Sequence, residues 1–447
     1  MGTYKFALKM LKTDLKQTVL YLLFVIFSVA TLFIGYAMMD DNNYTSLRGT
    51  TSQLCQVLLF GLTILLLFMV FFANSYFITS KTKELAIAEL NGVCSTKLIG
   101  LLSFQTFLLG IVGSIIGILL GLISLPVVSV VMYKLLGAQQ NIYSTTSDSI
   151  LITFIIVMLI MCPYIIGGDY GYLFHKEIKD LIYGQRQLYT PHAKKITIPE
   201  IENIKKLFPF LEKSKSETPH KTKSITPNNI ISILLYFLPI TVLFLNSKNF
   251  YGLMVFYLLF SVIGIHKLLT AFFPDKILSL KKNVFAGDEI KLISLSNLHY
   301  SLRKMNFLIV TLAISTVSLV FIIGSYGESY QVKVMGIFVY ICAIVSLGIS
   351  ILYKFMIEAS YRKHIFMQLQ LLGYHTKQIK KIIKQELILL YGVAIIIPLV
   401  HIVIYLAKFI NLGIITLQLS LMLLSTFIII FIIMIPISYF VYKKSVL

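Results

Sequence analysis

Metal or nucleophile chemistry in this chain would have to come from eight histidines and four cysteines, and neither set is spaced for it. No HExxH places two histidines on one helix face, and His175-Lys-Glu-Ile-Lys lacks the second histidine. Cys55, Cys94, Cys162 and Cys342 are scattered, without a CxxC or a pairing pattern, and read as reduced, packed thiols. No GxxxxGK[ST] stretch is present, so the chain has no P-loop of its own. An intramembrane protease would need paired nucleophiles or acids, whereas the apolar runs hold isolated polar residues such as Asn74, Gln105 and His401. His401 reads as a packed or hydrogen-bonding residue, with gating or cargo contact as the sharper alternative. The chemistry points away from catalysis.

What the polar residues do form is a repeat. Lys81-Thr-Lys-Glu-Leu-Ala-Ile-Ala-Glu-Leu-Asn-Gly92 and Arg362-Lys-His-Ile-Phe-Met-Gln-Leu-Gln-Leu-Leu-Gly373 overlay with a constant shift. Leu90 then falls on Leu371, Gly92 on Gly373, Ser95 on Thr376, Leu98 on Ile379 and Gln105 on Glu386. Each copy follows a long apolar helix with a charged stretch, an amphipathic helix, a glycine and a second apolar helix. Glycine most easily takes the left-handed conformation that ends a helix and turns the chain back. Leu85, Ile87, Ala88 and Leu90, and Ile365, Phe366, Leu369 and Leu372, supply an apolar surface on each amphipathic helix. That surface suits a partner's groove, or alternatively lipid headgroups. A second match, Leu11 to Gln17 on Leu298 to Lys304, places an amphipathic elbow before a span in each copy.

The elements that position these segments are membrane helices. Apolar residues make up 57% of the 447 and charged residues 13%, with a mean hydropathy of +0.86. Runs of roughly 20 apolar residues are long enough to cross a bilayer. About ten spans are expected, at 18–39, 53–79, 99–123, 149–171, 230–246, 251–272, 307–325, 334–357, 385–410 and 417–441. The third is open to extension through Pro126. Arg48, Lys134, Lys248, Lys333 and Lys408 lie on one side of this map and nearly all other basic residues on the other. That places both termini in the cytosol and accounts for the net charge of +20. No base-reading or stacking pattern accompanies the charge, so nucleic acid is not an expected partner.

The expected fold is therefore an all-α polytopic membrane protein in a 4+2+4 arrangement. Residues 1–172 form a first repeat (elbow and spans one to four), and 173–229 a basic, proline-broken cytosolic linker. Residues 230–289 form a central span pair with its cytosolic connection, and 290–447 a second repeat parallel to the first. Gly113, Gly117 and Gly121 form a small-xxx-small ridge in the third span, suited to close helix packing, with a sliding contact as the alternative. All outer connections are short.

The order of basic cluster, Lys-Glu, apolar helix, glycine, polar turn and a Gln or Glu in the next span resembles the FtsX-like permease family of ABC transporters. The 4+2+4 layout is similar to the ten-span permeases of the bacitracin-resistance type, which handle antimicrobial peptides. The resemblance covers roughly 1–172 and 290–447. It implies ATPase-coupling segments built from Lys83, Glu84, Leu85, Leu90 and Gly92, and from Arg362, Lys363, Phe366, Leu369 and Gly373. It further implies two copies of a cytosolic ABC ATPase that bind ATP and magnesium, with no cofactor, metal site or catalytic residue in this chain. The chain would then be a transport subunit of a bacterial cell membrane, with an apolar or antimicrobial peptide exported or expelled for immunity. Two departures stand out. His364-Ile365 replaces Lys83-Glu84 in the second copy, and the large extracellular domain of bacitracin-type permeases between spans seven and eight is missing. The rivals are an ATP-driven regulator that moves no cargo and an ion-coupled secondary transporter, which would need carboxylates deep in the spans.

Overall fold

The computed structural model describes residues 15–39, 50–136, 147–174, 227–245, 254–325 and 330–446. Nearly all of them are helical, as they must be where no water can satisfy a free peptide group. Helix α1 spans Leu15–Met39, α2 Thr50–Leu90 and α3 Ser95–Leu136. Helix α4 runs as Ser147–Ile156, a π turn at Val157–Met161 and Cys162–Phe174. Helix α5 is Pro227–Leu245, and α6 runs as Met254–Lys267, a π turn at Leu268–Phe272 and Phe273–Asn283. Helices α7 to α10 are Glu289–Ser325, Tyr330–Leu371, Thr376–Asn411 and Leu417–Val446. Hydroxyls within the spans are largely satisfied by their own helix: Ser28 donates to the Phe24 carbonyl at 2.9 Å, Thr63 to Leu59 at 2.9 Å and Thr316 to Leu312 at 2.7 Å.

Eight helices among the described residues, α1 to α4 and α7 to α10, are long and apolar enough to cross a membrane. Helices α5 and α6 form where spans five and six are expected, but the apolar stretch of α5 is the shorter Asn229–Val242. The chain is thus an all-α, multi-pass membrane protein; among the described residues α1 to α4 form one helix set and α7 to α10 a second. The first elbow and the 173–229 linker fall almost wholly outside the described residues.

The repeat is visible in the packing. Helix α1 packs on α2 and α3, and α4 on α2 and α3; α7 packs on α8 and α9, and α10 on α8 and α9. The two sets meet chiefly along α2 and α8. There Ser350 Oγ donates to Met69 Sδ at 3.2 Å, a pair separated by 281 residues, which is the shift that overlays the two sequence copies. Further along, Tyr76 and Tyr353 rings lie 6.3 Å apart and Lys354 Nζ sits 5.3 Å from the Tyr76 ring. Contacts that advance along both helices together mean that α2 and α8 run parallel. The pair α5–α6 belongs to the second set: α6 packs on α7, and Tyr236 donates to the Ile397 carbonyl of α9 at 2.7 Å, one residue before Pro398.

One contact shows why small residues stand where they do. Helix α3 lies against α1 along Gly113, Gly117 and Gly121. A Cβ at Gly113 would stand 2.7 Å from Val25 Cγ1, at Gly117 2.9 Å from the Ile26 carbonyl oxygen, and at Gly121 2.6 Å from Phe33 Cδ1. The helix backbones approach closely there, which permits dispersion contact that larger residues would prevent.

Replacing Gly117 with Leu overpacks a site bounded by backbone and is expected to cost about 1–3 kcal/mol or more. Gly61→Leu, at an exposed position with nothing within 4 Å of the new Cβ, is expected to leave stability unchanged. Thermal unfolding of both variants in detergent checks this; equal melting temperatures would contradict the close α1–α3 contact.

Candidate functional site

The amphipathic segments of the two copies are not separate helices. Each continues the span before it without a break, so that α2 has 41 residues and α8 has 42. The second elbow is likewise the first part of α7, a 37-residue helix. The expectation of a span, a charged break and a discrete cytosolic helix is corrected here. Charged side chains on a helix extending beyond the membrane do not interrupt its backbone hydrogen bonds, and Lys, Glu, Gln and Leu are good helix formers.

Both extensions end in the same cap. Gly92 has φ 85° and Gly373 φ 97°. The Gly92 amide donates to the Glu89 carbonyl at 2.9 Å and the Val93 amide to Ala88 at 3.1 Å. In the second copy the Gly373 amide reaches Gln370 at 3.0 Å and the Tyr374 amide Leu369 at 3.0 Å. This pairing of 6→1 and 5→2 bonds around a left-handed glycine is a Schellman motif. The next helix starts at once, at Ser95 and Thr376. His375 caps α9 through a reciprocal bond in which its amide donates to Gln378 Oε1 at 2.9 Å. The result is two helical hairpins with tight tips. Leu90 lies 21 residues beyond Met69, as Leu371 does beyond Ser350, roughly 30 Å of helix. The parallel course of α2 and α8 puts both tips at the same end of the molecule.

The partner helix of each hairpin decides which apolar residues face out. Leu85, Ala86 and Ala88 are buried against Leu98, Ile99, Leu101 and Leu102 of α3 in a small core of their own. Ile87 and Leu90, three residues apart, face solvent, with Leu90 63% exposed. In the second tip Phe366 is buried with its ring 6.3 Å from that of Tyr442, and Leu369 is half-buried. Ile365, Met367, Leu371 and Leu372 are outside, Leu371 at 84%. Lys363 is exposed, and half-buried Glu84 stands 3.7 Å from Lys81 Nζ. The side chain of Lys83 lies outside the described set. Leu85, Arg362 and Phe366 thus build the tips from inside, whereas Leu90, Lys363 and the two glycines stand at the surface.

Arg362 is the largest departure from an exposed coupling face. It is buried and paired with Glu386 of α9. Arg362 Nη2 also donates to Ser301 Oγ of α7 at 2.9 Å, and Nη1 to the Tyr442 hydroxyl of α10 at 3.4 Å. Asn297 Nδ2 donates to Glu386 Oε2 at 3.1 Å and Ser301 Oγ to Oε1 at 3.2 Å. One ion pair therefore joins all four helices of the second set at the root of its tip. Lys81, the register equivalent of Arg362, is fully buried as well. The first set has a neutral–acid cluster instead: Asn74 Nδ2 of α2 donates to Asp169 Oδ1 of α4 at 2.6 Å, and Thr106 Oγ1 of α3 to Oδ2 at 2.9 Å. Sequence reading places Gln105 and Glu386 in matching positions and Asp169 near the cytosolic end of its span, but does not identify Asn297, Ser301, Tyr442 or Thr106, nor that Asp169 is buried. The matched cation at 81 and 362 was the available signal.

The start of α7 is tied to the second tip. Tyr374 donates to Glu289 Oε2 at 2.8 Å, which raises the Tyr374 hydroxyl above its ordinary value. Asp288 caps α7 by accepting from the Lys291 amide at 3.2 Å and lies 3.1 Å from its ammonium. That amide bond, first among the causes, holds the Asp288 carboxyl below the usual range. Among the described residues no group of three His, Cys, Asp or Glu is arranged to hold a metal ion.

Residues 57–167, covering most of α2, all of α3 and most of α4, match the FtsX-like permease C-terminal domain. Over 180 residues, 39% of this chain, the sequence is 24% identical to the bacitracin export permease protein BceB of Halalkalibacterium halodurans. The aligned part spans 28% of that relative's length. The similarity is consistent with the FtsX-like permease family of ABC transporters. The match lies in the first set; the second is connected to it by the shared packing and the 281-residue register.

Removing one member of a buried ion pair leaves the other charged and unpaired, at a cost of about 3–5 kcal/mol. Arg362→Met alone is expected to lose that much, and Arg362→Met combined with Glu386→Leu to recover most of it. A double-mutant cycle on thermal stability checks this; a double variant no better than the single would contradict the pairing. At the tips nothing lies within 4 Å of a Cβ added to Gly92 or Gly373, so the cost of substitution is conformational. Gly92→Val and Gly373→Val are expected to raise amide exchange over the last turn of α2 or α8 while the spans stay protected. Unchanged exchange at 88–93 and 369–374 would contradict the helix-stop role.

Proposed function

We propose that the chain is the permease subunit of a bacterial ABC transporter that exports, or gives protection against, an apolar or antimicrobial peptide. A separate cytosolic ATPase, in two copies, supplies the energy. The observation that carries this reading is the matched pair of rigid, glycine-ended tips at one end of the molecule. Each presents uncovered apolar side chains, Ile87 and Leu90 on one and Ile365, Met367, Leu371 and Leu372 on the other. Exposed apolar residues on a helix end suit insertion into a partner's groove. Two such posts at equal reach on one chain suit two copies of one partner. The tips differ in sequence, so the two sockets hold unequal contacts.

ATP and magnesium belong to the partner; this chain supplies posts, levers and seam. A push on either tip is carried along an unbroken α2 or α8 to their mutual contact. Around that contact Phe24, Met69, Phe72, Ala73, Tyr76, Leu308, Ser350 and Tyr353 line a crevice with no room for a water molecule. Separating the two helix sets would open an aromatic, apolar wall, which suits an apolar peptide entering from the bilayer. The name of the relative, a bacitracin export permease, supports a peptide cargo. The closed seam equally suits a second reading, a mechanical regulator of a membrane or cell-wall partner that passes no cargo.

One permease chain is expected to bind two ATPase subunits in native mass spectra of the purified complex; a complex requiring two permease chains per ATPase pair would contradict the reading. Cells carrying permease and ATPase are expected to survive, or to secrete, a membrane-active peptide that kills or stays inside cells without them. A Walker-motif variant of the ATPase is expected to abolish this while the permease remains in the membrane. Protection that persists in that variant would favour passive binding, and altered cell-wall hydrolysis without a peptide phenotype would favour the regulator.

A further inference from the structure

The described residues hold a basic surface that the tips do not use. It is built from the end of α6, the start of α7 and the start of α9. Past its π turn α6 becomes amphipathic over Phe273–Asn283, with Pro274 and Ile277 buried and the segment packed on α7. Leu278 and Leu280, about 160° apart around a helix of 3.6 residues per turn, are both exposed, and Val284 beyond the helix end is 61% exposed. Lys276, Lys281 and Lys282 stand among them. On α9, Lys377, Lys381 and Lys384 follow one exposed stripe, which continues one turn later into exposed Ile388 and Leu389. Lys381 is close enough to act on Asp288, the carboxylate paired with Lys291, so the α7 and α9 parts converge.

The surface carries Lys276, Lys281, Lys282, Lys291, Lys377, Lys380, Lys381 and Lys384 against Asp275, Asp288 and Glu289. All three carboxylates are engaged: Asn229 donates to Asp275 at 3.1 Å, Lys291 pairs with Asp288, and Tyr374 donates to Glu289. A basic excess would be unfavourable without an anionic counterpart. Exposed Leu278, Leu280 and Val284 interleaved with lysines fit the boundary between headgroups and acyl chains, where apolar side chains are covered and lysines extend their ammonium groups outward. The stripe on α9 marks the same depth, since its lysines give way to apolar side chains facing out of the bundle.

We infer that the end of α6 and the starts of α7 and α9 form a docking surface for anionic lipid headgroups, holding the second helix set at a fixed depth in the bilayer. This surface is independent of the peptide-export reading. The test uses the full chain in mixed micelles and in nanodiscs of phosphatidylcholine with or without phosphatidylglycerol. Wild type is expected to retain phosphatidylglycerol in native mass spectra, with a preference that weakens as salt is raised. Combining Lys282→Gln, Lys381→Gln and Lys384→Gln is expected to lower that preference by about fivefold per lysine, and Lys→Arg at the same positions to keep it. Inorganic phosphate at matched concentration is expected not to compete. The inference is overturned if wild type shows no preference, if the triple Gln variant keeps it, or if phosphate alone displaces the lipid. Loss of ATPase binding with lipid preference intact would also overturn it, and would assign the surface to a protein partner.

Discussion

A helix whose peptide groups are all bonded to one another is stiff along its axis, and bending it sharply requires breaking those bonds. Helices α2 and α8 run for 41 and 42 residues, from the far side of the membrane region to the tips. They are also the two helices along which the repeats chiefly touch. The rest of the structure depends on this continuity. A flexible joint between span and tip would uncouple whatever grips the tips from the seam between the sets. The glycines that end each helix define the lever arm, and the close start of α3 and α9 fixes the direction of the return.

The two levers are anchored differently. In the second set a buried ion pair with its hydroxyl, amide and phenol partners binds four helices at one level. In the first set three helices converge on Asp169 through neutral donors. A buried charge is costly unless paired and hydrogen-bonded, so the Arg362–Glu386 cluster holds its members in one arrangement. The attachment of α5 and α6 to the second set, with Tyr236 of α5 bonded to the α9 backbone beside Pro398, adds to this inequality. Two sets built on one plan thus differ in the interactions that fix them, as their tips differ in the side chains they expose.

Much of this was legible in the sequence, for identifiable reasons. Apolar run length marked the eight long spans, and a glycine ending an amphipathic stretch marked both tips, because only those residue types suit those environments. The constant shift between Gly92 and Gly373 also marks the register of the Met69–Ser350 contact. What could not be read was direction around the helix. Leu85 and Ile87 look equally apolar, yet only packing against α3 buries the first and leaves the second outside. Arg362 reads as a surface charge until Glu386, Ser301 and Tyr442 surround it, and these lie on three other helices. Likewise, the Gly113–Gly117–Gly121 ridge is evident as a pattern, but its seat on α1 is a tertiary fact. The charged stretches looked like breaks because polarity was read as a boundary, whereas it marks where a continuous helix leaves the membrane.

The central claim is that the tips are rigid ends of two levers and, under the proposed function, move relative to each other when a bound ATPase works. Spin labels at Leu90→Cys and Leu371→Cys, in a Cys94→Ser background that removes the exposed native thiol, report the distance between the tips directly. With the proposed ATPase bound, the account predicts one narrow distance distribution without nucleotide and a second narrow, displaced one when ATP is bound but not hydrolysed. A single distribution unchanged by ATP, or one broad in every state, would contradict it.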